Sequence, residues 1–97
     1  MVQTVKSVLV HPGGKEVILE KPHTLHRVFF SVRVITGAAY WYDSRMSFDD
    51  PLFLSFYTLD GPEKYFEANG PDIFQGSIWV LNNSASNLVY TASEILH

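Results

Sequence analysis

Residues 25–35, Leu25-His26-Arg27-Val28-Phe29-Phe30-Ser31-Val32-Arg33-Val34-Ile35, decide the reading of the fold. Val28, Phe30, Val32 and Val34 alternate with Arg27, Phe29, Ser31 and Arg33. A period of two places these sets on opposite faces of a strand, the first against a core. The run is rich in β-branched and aromatic residues, which fit a pleated surface, and Thr36-Gly37 turns the chain after it.

The same pattern extends in both directions. Thr4–Val10 reads as a strand with Val5 and Leu9 on one side and Val8 and Val10 on the other. His11-Pro12-Gly13-Gly14 stops it, because proline lacks a ladder donor and glycine accepts positive φ. Lys15–Glu20 follows and closes at Lys21-Pro22-His23. Beyond the central run, Ala38–Ser44 forms a strand around the triplet Tyr40-Trp41-Tyr42, and a loop passes through Phe48-Asp49-Asp50-Pro51. Leu52–Leu59 alternates little, as expected of a strand covered on both sides. Asp60-Gly61-Pro62 turns into a short strand at Lys64–Glu67, which Asn69-Gly70-Pro71 ends. Gly76–Leu81 and Asn87–Leu96 make a final pair joined through Asn82-Asn83-Ser84-Ala85-Ser86. No window keeps apolar residues at helical spacing between a cap and a terminal glycine. The expectation is an all-β chain, a single domain over residues 1–97, built as an eight-stranded antiparallel β-sandwich of jelly-roll type.

Composition bounds the function. The chain has 97 residues, 46% hydrophobic and 18% charged, too apolar for a disordered tail and too interrupted for a membrane span. A formal charge of −3 gives no general attraction to nucleic-acid phosphates or anionic lipid, so neither partner is expected. There is no cysteine for a disulfide framework or a thiolate zinc site. Residues 1–48 carry a net +3 and residues 49–97 a net −6. Scattered among apolar runs, these charges read as basic early strands pairing with acidic later ones, within the fold or across a subunit contact. Residues 1–10 lack the apolar core of a signal peptide, which points to intracellular synthesis.

Chemistry is sparse. No serine lies in a Gly-x-Ser-x-Gly elbow, so no hydrolase is indicated and the chain is not expected to be an enzyme. His23 and His26 have a spacing that suits a metal only with a third ligand, and the His-x-His of cupins is missing. They read as turn and strand-edge residues, and His11 and His97 as bystanders. Asp49 and Asp50 lack the alternating carboxylates and glycine of a calcium loop, while Asp60 and Asp72 suit turn caps. No metal or other cofactor is expected. Asn82-Asn83-Ser84 fits a glycosylation acceptor and also a polar hairpin loop, the simpler reading. Tyr40, Trp41 and Tyr42 offer an aromatic platform for a sugar, with Arg27, Arg33 or Arg45 beside it. The competing reading has these rings filling the core or a subunit contact, and Trp79, between Ile78 and Val80, as packing.

Apolar surface exceeds what one sandwich can hide. Phe29 sits among polar neighbours, and Phe53 and Tyr57 lie opposite Leu54 and Phe56 on their strand. A strand in a sandwich has one inward face, so Phe29, Phe53 and Tyr57 are candidates for an oligomer or partner interface, and a homo-oligomer is expected.

The last third contains Tyr65-Phe66-Glu67, Gly70-Pro71-Asp72-Ile73-Phe74-Gln75-Gly76, Ile78-Trp79-Val80 and the Leu88–Leu96 strand. It resembles the small β-sandwich head decoration, or cement, proteins of tailed bacteriophages. The resemblance implies a jelly-roll subunit that oligomerises, most often as a trimer, and clamps neighbouring capsid proteins on the virion exterior after synthesis in the host cytoplasm. It transfers no binding residues. The reading from a different class is a small carbohydrate-binding module using Tyr40, Trp41 and Tyr42.

Overall fold

The alternating run at the centre of the sequence becomes one of two inner strands of its sheet. The computed structural model describes residues 1–35, 44–48, 56–58 and 65–97. Its strands are β1 (Val2–Val10), β2 (Lys15–Leu19), β3 (Arg27–Ile35), β4 (Ser44–Phe48), β5 (Phe56–Thr58), β6 (Tyr65–Asn69), β7 (Ile78–Asn82) and β8 (Leu88–Leu96). They form two four-stranded antiparallel sheets packed on one another, in the orders β1-β8-β3-β6 and β2-β7-β4-β5. No helix occurs among the described residues.

Where the sequence reads a loop through Phe48, the chain forms β4. Its apolar period is hidden because Ser44 and Ser47 are buried beside Met46 and mimic loop composition. Of the strands expected over Ala38–Ser44 and Leu52–Leu59, only Ser44 and Phe56–Thr58 fall among the described residues.

The core lies between the sheets. Phe30, Val32 and Val34 of β3 face it beside Leu88, Tyr90 and Ala92 of β8, against Ile78 and Val80 of β7 and Met46 of β4. The inward row of β8 continues from Ala92 to Glu94, which is 6% exposed. A carboxylate in a core row needs a partner.

A β-bulge supplies that partner. The β3–β8 register shifts between Arg27 and Phe29, so Val28 is displaced to the surface and Arg27 turns inward. This reverses the facing that strict alternation predicts for both residues. Arg27 is 1% exposed. Its Nε donates to Glu94 Oε2 at 2.9 Å, one terminal nitrogen donates to the carbonyls of Phe74 (2.8 Å) and Gly76 (2.9 Å), and the other to the Glu20 carbonyl (3.1 Å). The Gln75 side chain accepts from the Arg27 backbone N–H at 2.7 Å and donates to its carbonyl at 2.6 Å, so it completes the bulged strand as a neighbouring strand would. One guanidinium thus binds β8, the end of β2 and the β6–β7 connection, joining both sheets.

A second set of polar contacts crosses the core at the other end. Tyr90 on β8 donates its hydroxyl to the Leu81 carbonyl of β7 at 2.8 Å, and its oxygen lies 2.6 Å from Ser44 Oγ on β4. The buried Asn82 side chain donates to the carbonyls of Val10 and Ser86 and accepts from the N–H and hydroxyl of Ser84. Gly13, at φ 77°, donates its backbone N–H to the Asn82 carbonyl, and Asn82 donates back to Gly14. A Cβ at Gly14 would lie 2.9 Å from the His11 carbonyl oxygen, so this turn requires glycine there. No buried side-chain nitrogen or oxygen among the described residues lacks a partner.

Arg27→Ala should leave the Glu94 carboxylate and three carbonyls without their donor, at a cost of about 3–5 kcal/mol. The check is a lower urea midpoint at unchanged slope. Arg27→Lys should recover only a minor part, because an ammonium cannot reproduce the planar fork.

Candidate functional site

The outer face of the β1-β8-β3-β6 sheet is built in rows set by strand register. Gln3, Ile95, Phe29 and Asn69 form one row, and Val5, Ser93, Ser31 and Glu67 the next. Ser7, Thr91, Arg33 and Tyr65 form the third, and beyond it Leu9 lies beside Val89. The centre is a ladder of hydroxyls that satisfy one another: Ser31 Oγ to Ser93 Oγ at 2.8 Å and Ser7 Oγ to Thr91 Oγ1 at 3.2 Å. Apolar side chains flank it. Phe29 is half-buried, while Val5 is 65% and Leu9 51% exposed on β1, whose only partner strand among the described residues is β8.

At the β6 edge the Tyr65 hydroxyl donates to the Glu67 carboxylate on the same face. That hydrogen bond is the main reason the Tyr65 pKa is raised above 10.0, with desolvation and the negative charge of Glu67 adding to it; Ser31 and Arg33 act in the opposite direction.

Two depressions open elsewhere. A groove of about 510 Å³ is lined by Thr4 and Lys6 of β1, by Lys21 and His23 of the β2–β3 connection, and by Glu94 and Leu96 of β8. Its inner charges are already engaged, since Lys6 Nζ donates to the Val17 carbonyl at 3.3 Å and Glu94 holds Arg27. The second, of about 410 Å³, is lined mainly by Phe30, Phe48, Phe66 and Phe74, with Asn69 and Asp72 beside them. There Phe48 and Phe74 stack at 4.7 Å and Phe30 meets Phe48 edge-on at 6.1 Å.

The structure sorts the sequence candidates. Phe29 lies on the outer face, as its polar neighbours suggest. Phe53, the side chain of Tyr57, the triplet Tyr40, Trp41 and Tyr42, and Asp49, Asp50 and Asp60 lie outside the described residues. Arg27 is corrected from a sugar-facing donor to a buried structural group, because its guanidinium is committed to four acceptors. Asn82 has a fully buried amide bonded to the Val10 and Ser86 carbonyls, which fits the hairpin-loop reading of Asn82-Asn83-Ser84 rather than a glycosylation acceptor. Trp79 is half-buried on the outer side of its sheet, where Lys15 Nζ lies 4.6 Å from the ring centroid. With Ile78 and Val80 inward, a two-residue period turns it outward. His23 and His26 are exposed, and His11 Nδ1 lies 3.1 Å from Asn87 Oδ1. No group of three potential metal ligands gathers among the described residues.

Sequence reasoning missed Glu94 and Gln75. Glu94 was detectable, because the series Leu88, Tyr90, Ala92, Glu94 places a carboxylate in an inward row. Gln75 acts on a bulge that no local pattern signals. Comparison with protein-family models and with curated proteins found no match. The arrangement offers surface for contact, with its described buried polar groups tied to the frame.

Tyr65 should titrate above the ordinary 10.0, and Glu67→Ala should bring it back towards that value, read by NMR of labelled tyrosine. Because the fold holds this proton more tightly than the unfolded chain does, the associated stability is present below the unfolded value and disappears as pH rises through the folded one. In Glu67→Ala that alkaline loss should shrink.

Proposed function

We propose that this chain is a non-enzymatic structural subunit of jelly-roll connectivity that associates with copies of itself and docks on a protein lattice. The lattice is the capsid exterior of a tailed phage, where the chain acts as a decoration subunit. The fold part is supported by strand pairing: β1 with β8, β2 with β7, β3 with β6 and β4 with β5 is the pattern of one long hairpin wrapped into two sheets. The assembly part is carried by one observation, the exposed apolar side chains along β1, which among the described residues is the outermost strand of its sheet. The choice of a capsid as the lattice rests on the resemblance in the last third of the sequence.

Arg27, Glu94, Asn82 and Tyr90 are all committed to structural contacts, which favours a binding role over turnover. The test has two arms, sedimentation of the protein at micromolar concentration and co-sedimentation with capsids of the phage that encodes it. A mass above the monomer and saturable capsid binding are expected. A monomer that leaves capsids in the pellet without it would refute the reading.

A further inference from the structure

We propose that two copies of this chain pair antiparallel along their β1 edges, joining two four-stranded sheets into one continuous sheet across a twofold axis. This rests on the self-association proposed above and goes further by naming the strand, its direction and its register.

Among the described residues four strands lie at sheet edges, of which β5 has only the three residues Phe56–Thr58, and β1 differs from β2 and β6. Strand β2 has five residues, opens with Lys15-Glu16 and is bulged between Val17 and Leu19. Strand β6 has five residues and carries Glu67 on its outer row. Short length, charge and bulging are the devices by which an edge avoids pairing with another chain. Strand β1 has nine residues, no proline and an unbroken register from Val2↔Leu96 to Val10↔Leu88. Its outward residues, Gln3, Val5, Ser7 and Leu9, carry no charge. The single charge of the strand, Lys6, points the other way and is held by the Val17 carbonyl.

The side chains select a second copy as the occupant. With Ser7 on the twofold axis, Val5 lies opposite Leu9 of the partner subunit and Leu9 opposite Val5 of the partner subunit. Both exposed apolar residues of the outer row are then covered twice over. Lys6 faces Val8 of the partner subunit in this register, whereas a centre on Lys6 would set two ammonium groups against each other. The pairing spans Thr4–Val10 and buries little side-chain area, so ladder hydrogen bonds contribute much of the contact and the dimer should be concentration-dependent. A twofold pair takes the place of the threefold order that the resemblance implies.

The test uses the whole chain. Val5→Lys combined with Leu9→Lys changes only exposed side chains, so circular dichroism should stay near wild type while the sedimenting mass falls to a monomer, and the urea midpoints should agree once the wild type is diluted to a monomer. Ser7→Cys introduces the only thiol, since the chain has no cysteine. Its twofold mate would sit with Cβ atoms about 4.5–5.5 Å apart, close enough to bridge with modest adjustment. Mild oxidation should give a covalent dimer, and Asn69→Cys on the opposite edge should give none. A double-lysine variant that keeps the wild-type mass, a Ser7→Cys chain that stays uncrosslinked, or crosslinking through Asn69→Cys would each overturn the β1 pairing. Retained capsid co-sedimentation in any of these cases leaves the assembly reading standing, and its loss together with a monomeric wild type removes both.

Discussion

The structure turns on one buried ion pair. Arg27 and Glu94 meet at 2.9 Å inside the sandwich, where an isolated charge would be strongly unfavourable. The pair persists because the remaining guanidinium donors reach backbone carbonyls, those of Phe74 and Gly76 in the β6–β7 connection and that of Glu20 just past β2. The bulge that turns Arg27 inward and the Gln75 amide that completes the bulged backbone belong to the same arrangement. The two sheets are joined at this end by directional bonds, and at the other by Tyr90 and Asn82, so the outer face and the β1 edge are presented as one surface.

That surface makes sense of a small domain without cysteine. A chain of this size buries a modest fraction of its surface, and contact with a second body is a common source of additional stability. The outer face is suited to such contact. Its central hydroxyls are already paired with one another, so covering them strands few polar groups, and apolar residues lie on either side. The edges differ in the same sense, with charge or bulging at β2 and β6 and neither in the outward row of β1.

Much of this frame was legible in the residues, and the failures have identifiable causes. Phe30, Val32 and Val34 announce their buried face by strict alternation, and the placement of Val5 and Leu9 together on β1 follows from the same period. Alternation fails at Arg27 and Val28 because a single inserted residue reverses the phase, and the register that inserts it belongs to β8, far away in sequence. It fails at β4 because buried serines look like loop. Surplus apolar surface is most conspicuous in sequence as aromatic rings, and apart from Phe29 the side chains of those candidates lie outside the described residues. The aliphatic surface of β1 is less visible in the residues, since being an edge is a property of topology: it takes the sheet order of the described strands to place Val5 and Leu9 on an outermost strand.

The most direct measurement is a double-mutant cycle on Arg27 and Glu94, using Arg27→Met, Glu94→Leu and the pair together, with stability taken from urea unfolding. If the two charges act as one unit, each single variant leaves a buried unpaired partner and loses much more than its share, while the double variant is less destabilised than their sum by about 2–3 kcal/mol. Losses that simply add would contradict the ion pair as the joint on which the sandwich depends.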